Sequence, residues 1–193
     1  MERHAIFPLN IFLLPGEMSY LHIFEPRYKQ LLKDVEEEGI PFGIYFQGTE
    51  NRLNIGTMVE LDKVIKRHSS GELDISIRAI RIFKLEWFFE NLDDKLYPGG
   101  EIEWPNFEEQ EASEEVFNEF RALMDIKNPN EIVELPTKTF EVAASLNLRS
   151  KEKLELVQMK SSENQDRILL SHIRLHLAIA RQENDSHFNF NLN

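Results

Sequence analysis

The feature that most constrains the fold is a pair of long segments with the patterning of β-strands, joined by a short polar turn. In the second segment, residues 73–89, apolar and polar side chains alternate from Leu73 to Ala79, which is the two-residue period of a strand with one buried face. The first segment covers residues 55–66, and His68-Ser69-Ser70-Gly71 forms the turn. The pattern predicts a long β-hairpin.

The alternation changes face partway along the second segment. After Ile80 the apolar positions shift through Ile82 and continue at every second residue as Phe83, Leu85, Trp87 and Phe89. A change of face within one strand is typical of a bulge or of the corner of a barrel. We therefore expect the hairpin to bend near Ile80.

The rest of the first half predicts short strands and one helix. The strand candidates are residues 5–7, 19–23, 41–46 and 101–104. Pro26 suits the first turn of a helix, and Gly39 suits its end. Between them lies one apolar face with the helical spacing i, i+3, i+4, i+7, formed by Tyr28, Leu31, Leu32 and Val35.

The second half has the patterning of helices. An acidic linker at residues 106–112 precedes Ser113, which suits a helix N-cap. Ser162 and Gln165 have the spacing of a capping box before the longest helical segment. Strands to about residue 105 and helices after it predict the α+β class, with parts at residues 1–105 and 106–193.

Composition and missing motifs exclude several kinds of chemistry. The 193 residues include 34 acidic and 22 basic side chains, a net charge of −12, which is unfavourable for binding a phosphate backbone. The absence of cysteine excludes disulfides, thiolate catalysis and cysteine-bound zinc. The sequence contains no phosphate-binding loop or dinucleotide fingerprint. We expect a cytoplasmic, non-enzymatic chain without a signal peptide, a membrane span or a cofactor.

Histidines offer one weak metal signal. His172 and His176 are four residues apart on a predicted helix and would face the same way. A third ligand would have to come from His4, His22 or His187, which are remote in sequence. The pattern therefore favours hydrogen-bonded histidines, and no metal site is predicted.

Several stretches resemble a known family. They are Ile6-Phe7-Pro8-Leu9-Asn10, Leu13-Leu14-Pro15-Gly16-Glu17, Leu21-His22-Ile23-Phe24-Glu25-Pro26-Arg27-Tyr28, the segment 54–61 with its Gly56-Thr57 pair, and the segment 74–83. Together they resemble the substrate-binding domain at the N-terminus of Lon ATP-dependent proteases, in the stand-alone form that lacks the ATPase and protease domains. Ala79 departs from the pattern, because the family usually has glycine there. The residues that mark the fold are Pro15, Gly16, Phe24, Glu25, Pro26, Arg27, Tyr28, Gly56 and Thr57.

The resemblance implies a PUA-like, twisted six-stranded β-barrel with one inserted helix, followed by a C-terminal helical bundle. It also implies a non-enzymatic module that binds unfolded or apolar protein segments, in an apolar groove between barrel and bundle. Such a module could serve a separate protease or chaperone. The candidates for the lining are large residues near turns, namely Met18, Tyr20, Phe24, Tyr45 and Phe46.

The sequence is also compatible with two other functions. PUA-like barrels include RNA readers, although the only basic cluster here is residues 63–67 and the net charge is −12. A small-molecule site or an enzymatic role is the third possibility. The sequence leaves the oligomeric state open.

The predicted helix can be tested by two substitutions. Leu31→Ala should lower the free energy of unfolding by about 2–5 kcal/mol, because Leu31 lies in the middle of the apolar face. Pro26→Ala should cost much less, because proline there only pre-sets the first turn. Denaturant unfolding of both variants measures the difference, and the opposite ranking would show that the helix has another register.

Overall fold

The computed structural model describes residues 2–105, 110–129 and 134–190, with side chains as far as Glu183. Part of the predicted linker, residues 106–109, lies outside this range. The elements are β1 (Glu2–Leu9), β2 (Met18–Ile23), α1 (Pro26–Glu38), β3 (Phe42–Phe46), β4 (Ile55–Arg67), β5 (Leu73–Phe89), β6 (Gly99–Glu103), α2 (Glu114–Lys127), α3 (Thr139–Ala144), α4 (Ser150–Gln158) and α5 (Ser162–Phe190). The α+β class is confirmed.

The six strands form one sheet that closes on itself unevenly. Their order is β2-β5-β4-β3-β1-β6, and β5 also pairs with β6. Five strands therefore make a ring, and β2 lies outside it against the first half of β5. The β1–β3 pairing is parallel and the other pairings are antiparallel.

Two bulges bend β5. Val59 pairs with Ala79 and Met58 with Arg81, so Ile80 has no partner on β4, which confirms the change of face predicted there. A second irregularity lies between Leu85 and Trp87 on the β6 side. Trp87, after this irregularity, is 65% exposed, whereas Phe83 and Leu85 of the same apolar series are buried.

A small apolar cluster draws on all five strands of the ring. Its members are Ile6, Met58, Phe83, Leu85 and Ile102, with Tyr45 packed against them. Two glycines make room for the Phe83 ring. A Cβ atom added at Gly43 or Gly56 would lie 2.8 Å or 2.5 Å from it, closer than real contacts allow. Gly56, one of the residues that carry the family resemblance, therefore has a steric role.

A larger apolar cluster includes the buried face of α1. Tyr28, Leu31, Leu32 and Val35 are buried, and the Tyr28 ring stacks on Phe7 with 3.7 Å between ring centroids. The helix begins at Pro26 and ends at Gly39, whose φ is 66°. Both ends and the buried face agree with the sequence prediction.

The same helix buries one carboxylate. Asp34 accepts hydrogen bonds from Lys95 Nζ and from the Tyr97 hydroxyl, both at 2.7 Å. Burial alone would raise the pKa of Asp34, but the bonds from Lys95 and then Tyr97 outweigh it and lower that pKa. Burial, followed by the bond to Asp34, raises the pKa of Tyr97.

The contacts divide the chain into two compact units. One contains Met1–Phe107 and Leu148–Gln158, and the other contains Glu108–Asn147 and Met159–Asn193. A single boundary at residue 105 would place α4 with the later helices, whereas the contacts group it with the strands. Polar bonds join α4 to the segment before β2.

In the second unit, α2 and α5 pack through buried apolar residues, and Arg174 of α5 binds Glu115 and Glu119 of α2 at 2.7 and 2.9 Å. Ser113 caps α2 as predicted, because its hydroxyl accepts a bond from the Val116 amide at 3.3 Å. The predicted cap of α5 is off by one residue. Ser161, not Ser162, accepts a bond from the Asn164 amide at 3.4 Å.

The Asp34 site predicts a pH-dependent loss of stability. Because its pKa is lowered in the folded state, ionised Asp34 adds stability above its unfolded pKa of about 3.9, and this is lost as the pH falls through the folded pKa. Asp34→Asn should therefore destabilise the fold by about 1–3 kcal/mol near neutral pH, and by progressively less toward acid. Urea unfolding as a function of pH measures this.

The control for Asp34→Asn is Asp93→Asn. The Asp93 side chain is 72% exposed beside Arg3, so its loss should change stability by well under about 1 kcal/mol. Equal effects of the two substitutions, or an Asp34→Asn effect that grows toward acid, would contradict the assigned role.

Candidate functional site

Strand β2 has an open edge. Within the described residues it pairs with β5 only, in a register that runs from Met18 opposite Arg78 to Ile23 opposite Leu73. A strand edge without a partner presents backbone donors and acceptors to solvent, and an extended chain can bind to them.

The residues along this edge are unusually exposed for apolar side chains. Met18 is 42% exposed, Tyr20 72% and Phe24 58%. The two-residue period of the strand puts Met18, Tyr20 and His22 on its outer face, and Phe24 follows one residue after the strand ends. We call Met18, Tyr20 and Phe24, with the free edge beside them, the β2 surface.

The register also shows which peptide groups of β2 are free to bind. The Ala79 amide donates to the Glu17 carbonyl at 2.8 Å, and the Ala79 carbonyl accepts from the Gly16 amide at 2.9 Å. Because peptide groups point alternately to the two sides of a strand, those of Met18, Tyr20 and His22 point away from β5. Three donor–acceptor pairs therefore face the open side of β2.

The turn before β2 shows how alanine is accommodated at position 79, where the resembled pattern usually has glycine. Gly16 has φ 88° and brings the chain against β5. The contact with β5 uses the backbone of Ala79, while its methyl group is only 2% exposed in the apolar core. The turn therefore approaches Ala79 on its backbone side, and the methyl group fits in the core.

A buried ion pair anchors the start of β2. Lys153 of α4 donates to both carboxylate oxygens of Glu17 at 2.6 and 2.8 Å, and these side chains are only 9% and 12% exposed. The Leu14 amide also donates to Glu17, at 2.7 Å. Ser150 of α4 accepts a bond from the Phe12 amide at 3.0 Å. Polar bonds from α4 thus hold the segment that leads into β2.

Two further residues of the resemblance have structural contacts. The Thr57 hydroxyl donates to the Leu13 carbonyl at 2.6 Å, and Thr57 is fully buried. Arg27 binds Glu25 at 2.9 Å and lies over the Tyr28 ring, 4.6 Å from its centroid. These contacts tie the segments on either side of β2 to the sheet and to α1.

Tyr45 and Phe46, the other two residues predicted for the lining, do not join the β2 surface. They lie on β3, between β4 and β1, and as successive residues of a strand they face opposite sides. Tyr45 is half-buried, which raises its pKa, and it contacts Asn54. Phe46 is 3% exposed because β3 is an inner strand, so it has almost no surface for binding.

Some exposed apolar residues were missed by the sequence patterns. In the first unit they are Leu53, Ile65, Ile80, Trp87, Phe88 and Leu96. Only Ile80 carried a signal, the change of face in β5. The others belong to segments whose alternation or composition looks like that of their buried neighbours.

Comparisons with known proteins agree with this architecture. The family model of the ATP-dependent protease La (LON) substrate-binding domain matches residues 4–175. The chain therefore belongs to the Lon substrate-binding domain family. No curated protein matches the chain in sequence.

Solved structures show the same fold. One is a Lon N-terminal domain protein from Xanthomonas campestris, with 23% identity, a TM-score of 0.66, and coverage of 89% of this chain and 98% of that one. Another is the N-terminal domain of the Mycobacterium avium complex Lon protease, with 13% identity, a TM-score of 0.64, and coverage of 90% and 98%. In the part of the chain that the structure describes, none of the helices has the length and apolar character needed to cross a membrane.

The anchor of β2 gives a prediction with a matched control in the same helix. Lys153→Met should destabilise the fold by about 3–5 kcal/mol, because it leaves the Glu17 carboxylate buried without its partner. Lys151 pairs with Glu50 at the surface, so Lys151→Met should cost no more than about 1 kcal/mol. Denaturant unfolding compares the two variants. A similar small cost for both would show that the Glu17–Lys153 pair does not hold this segment.

Proposed function

We propose that this chain is a non-enzymatic polypeptide-binding module that takes extended, apolar segments of unfolded protein on its β2 surface. The observation that carries the proposal is the open edge of β2 with three exposed apolar side chains beside it. Membership of a family described as a substrate-binding domain supports it. The proposed surface lies wholly within the first unit.

The backbone of β2 supplies a recognition mode that does not depend on the sequence of the partner. The outward peptide groups of Met18, Tyr20 and His22 recur at every second residue, about 6.6–6.8 Å apart. An added strand presents complementary groups at the same spacing. Folded proteins have few free strands to offer, whereas an unfolded segment adopts an extended conformation readily.

The side chains of the β2 surface favour apolar partners without strict selection among them. Met18 is flexible and polarisable, which suits partners of variable shape. Tyr20 and Phe24 add large contact areas with few torsions to restrict. Because only three such side chains are exposed here, we expect weak and reversible binding.

Charge distinguishes this function from RNA binding. The chain carries a net charge of −12, and the β2 surface is flanked by the acidic residues Glu25, Glu72 and Asp74, which pair with basic groups of the chain itself. A phosphate backbone would be repelled by this charge, whereas neutral or basic unfolded segments would not.

The proposal is tested by fluorescence anisotropy with a labelled apolar peptide and a labelled single-stranded RNA at low and moderate salt. Peptide binding that changes little with salt supports it, because apolar contacts and backbone bonds are weakly screened. RNA binding with a steep salt dependence, and none to the peptide, would falsify it in favour of an RNA reader.

Matched variants locate the surface. Tyr20→Thr keeps a residue suited to strands but removes the ring, and should weaken peptide binding about tenfold, as a lost contact of about 1.4 kcal/mol would. Trp87→Thr removes a ring of similar exposure on β5 and should have little effect. Equal losses in the two variants would place the binding elsewhere.

The peptide itself provides a test of the backbone mode. Methylation of alternate peptide nitrogens removes hydrogen-bond donors on one edge and leaves the side chains in place. If the peptide adds to β2 as a strand, methylation on either single set of alternate residues should be tolerated, because the other edge of the peptide can still pair with β2, whereas methylation on both sets should abolish binding. Unchanged binding by a peptide that is methylated on both sets would exclude strand addition.

A further inference from the structure

A cluster of two histidines and two acids lies at the end of β2, where β2, β5 and the β4–β5 turn meet. His22 is on β2, Asp74 is directly opposite on β5, and His68 and Glu72 close the turn, with a bond of 2.9 Å from the His68 amide to the Glu72 carbonyl. His22 and His68 are 46 residues apart in sequence, so no spacing motif revealed them.

The ligand atoms of three of these residues converge on one small volume. Asp74 Oδ1 is 2.6 Å from His22 Nδ1, and Asp74 Oδ2 is 2.7 Å from His68 Nε2. Each of the three residues offers one ligand atom, and these three atoms all lie within 4.8 Å of one another. Ligand atoms around a tetrahedral zinc ion lie about 3.3 Å apart, for bonds of about 2.0–2.1 Å. Side-chain shifts of about an ångström would convert the hydrogen-bonded cluster into a zinc-binding arrangement.

We propose that His22, His68 and Asp74 form a binding site for a divalent transition metal ion, with zinc as the best chemical match. Two imidazole nitrogens and one carboxylate oxygen are a ligand set that zinc prefers.

Glu72 supports the proposed site through His22 and does not bind the metal itself. Its Oε2 lies 3.7 Å from His22 Nε2, on the opposite side of the ring from Asp74. For His22 Nδ1 to bind a metal, the ring proton must move to Nε2, where Glu72 can accept its hydrogen bond. A carboxylate behind a metal-bound imidazole fixes the tautomer and strengthens the ligand.

The local charge also suits a divalent cation. With neutral imidazoles, Asp74 and Glu72 contribute two negative charges. Two lysines nearby would repel the cation. Lys66 lies opposite Asp74 on β4, and Lys29 of α1 lies near Gly71 of the turn. Neither lysine forms an ion pair with Asp74 or Glu72 in the structure. A bound ion would join β2 to the β4–β5 turn at the end of the β2 surface.

The test is uptake of zinc by the full chain without an affinity tag, measured by competition with a chromophoric chelator. The wild-type chain should bind one equivalent. His22→Gln and His68→Gln should each weaken binding at least tenfold, and Glu72→Gln by about 10–100-fold. Circular dichroism and the unfolding temperature without metal show whether each variant is folded, and His68 in the turn gives an independent variant if His22→Gln does not fold.

Two other histidines serve as controls. His4 contacts one carboxylate, Glu2, at 3.2 Å, and no second imidazole of the described side chains lies beside that acid. His4→Gln should therefore leave binding unchanged. His176→Gln tests the pair on α5. The side chain of His187 lies outside the described side chains.

The outcomes separate the alternatives. Loss of zinc binding in the His22 and His68 variants alone supports the site at the end of β2. Binding that follows His176 would place the metal on α5, and no saturable uptake by the wild-type chain would leave the cluster as hydrogen bonds only. Either result overturns the proposal, and neither bears on peptide binding by the β2 surface.

Discussion

The structure of the first unit depends on the pairing of one strand, β5, along nearly its whole length. Its 17 residues pair with β4 on one side, and on the other side first with β2 and then with β6. The second of these pairings closes the ring. Because β6 occupies only the later half of β5, the first half remains available to β2, which stays outside the ring with a free edge. Closure of the ring and the open edge of β2 thus have the same origin.

The bulge at Ile80 makes this division possible. Before it, the odd-numbered residues Leu73, Ile75, Ile77 and Ala79 belong to the apolar cluster that includes α1. After it, Phe83 and Leu85 belong to the cluster inside the ring. One extra residue thus moves the odd-numbered side chains of β5 from one apolar cluster to the other. In a regular strand these side chains would stay on the same face along its whole length.

The sequence predicted features whose cause is local. The apolar face of α1 follows from the spacing of its own residues, and the change of face at Ile80 is visible because it interrupts the alternation. The second bulge of β5 does not interrupt the series Leu85, Trp87, Phe89, and it exists only relative to the register of β6. Asp34 looked like one more acid in the helix, because its partners Lys95 and Tyr97 come about 60 residues later.

The same distinction applies to the candidate site. The alternation in residues 19–23 places Tyr20 and His22 on one side of a strand. It does not indicate which side faces solvent or that the strand lies at an edge. Tyr45 and Phe46 were chosen for size and for their position near turns, and the sheet order encloses them instead. The meeting of His22, His68 and Asp74 depends on the registers of three strands together. Sites formed by strand pairing are therefore the part of this molecule least accessible from sequence patterns.

An open strand edge with apolar side chains presents a physical problem, because two copies of the chain could pair through it. Each copy carries a net charge of −12, so the approach of two copies is opposed by long-range repulsion that a neutral or basic segment does not experience. Glu25, Glu72 and Asp74 add acidic groups near the edge itself. The acidic composition, which argues against nucleic acid as a partner, thus also opposes pairing of two copies of the chain through the β2 edge.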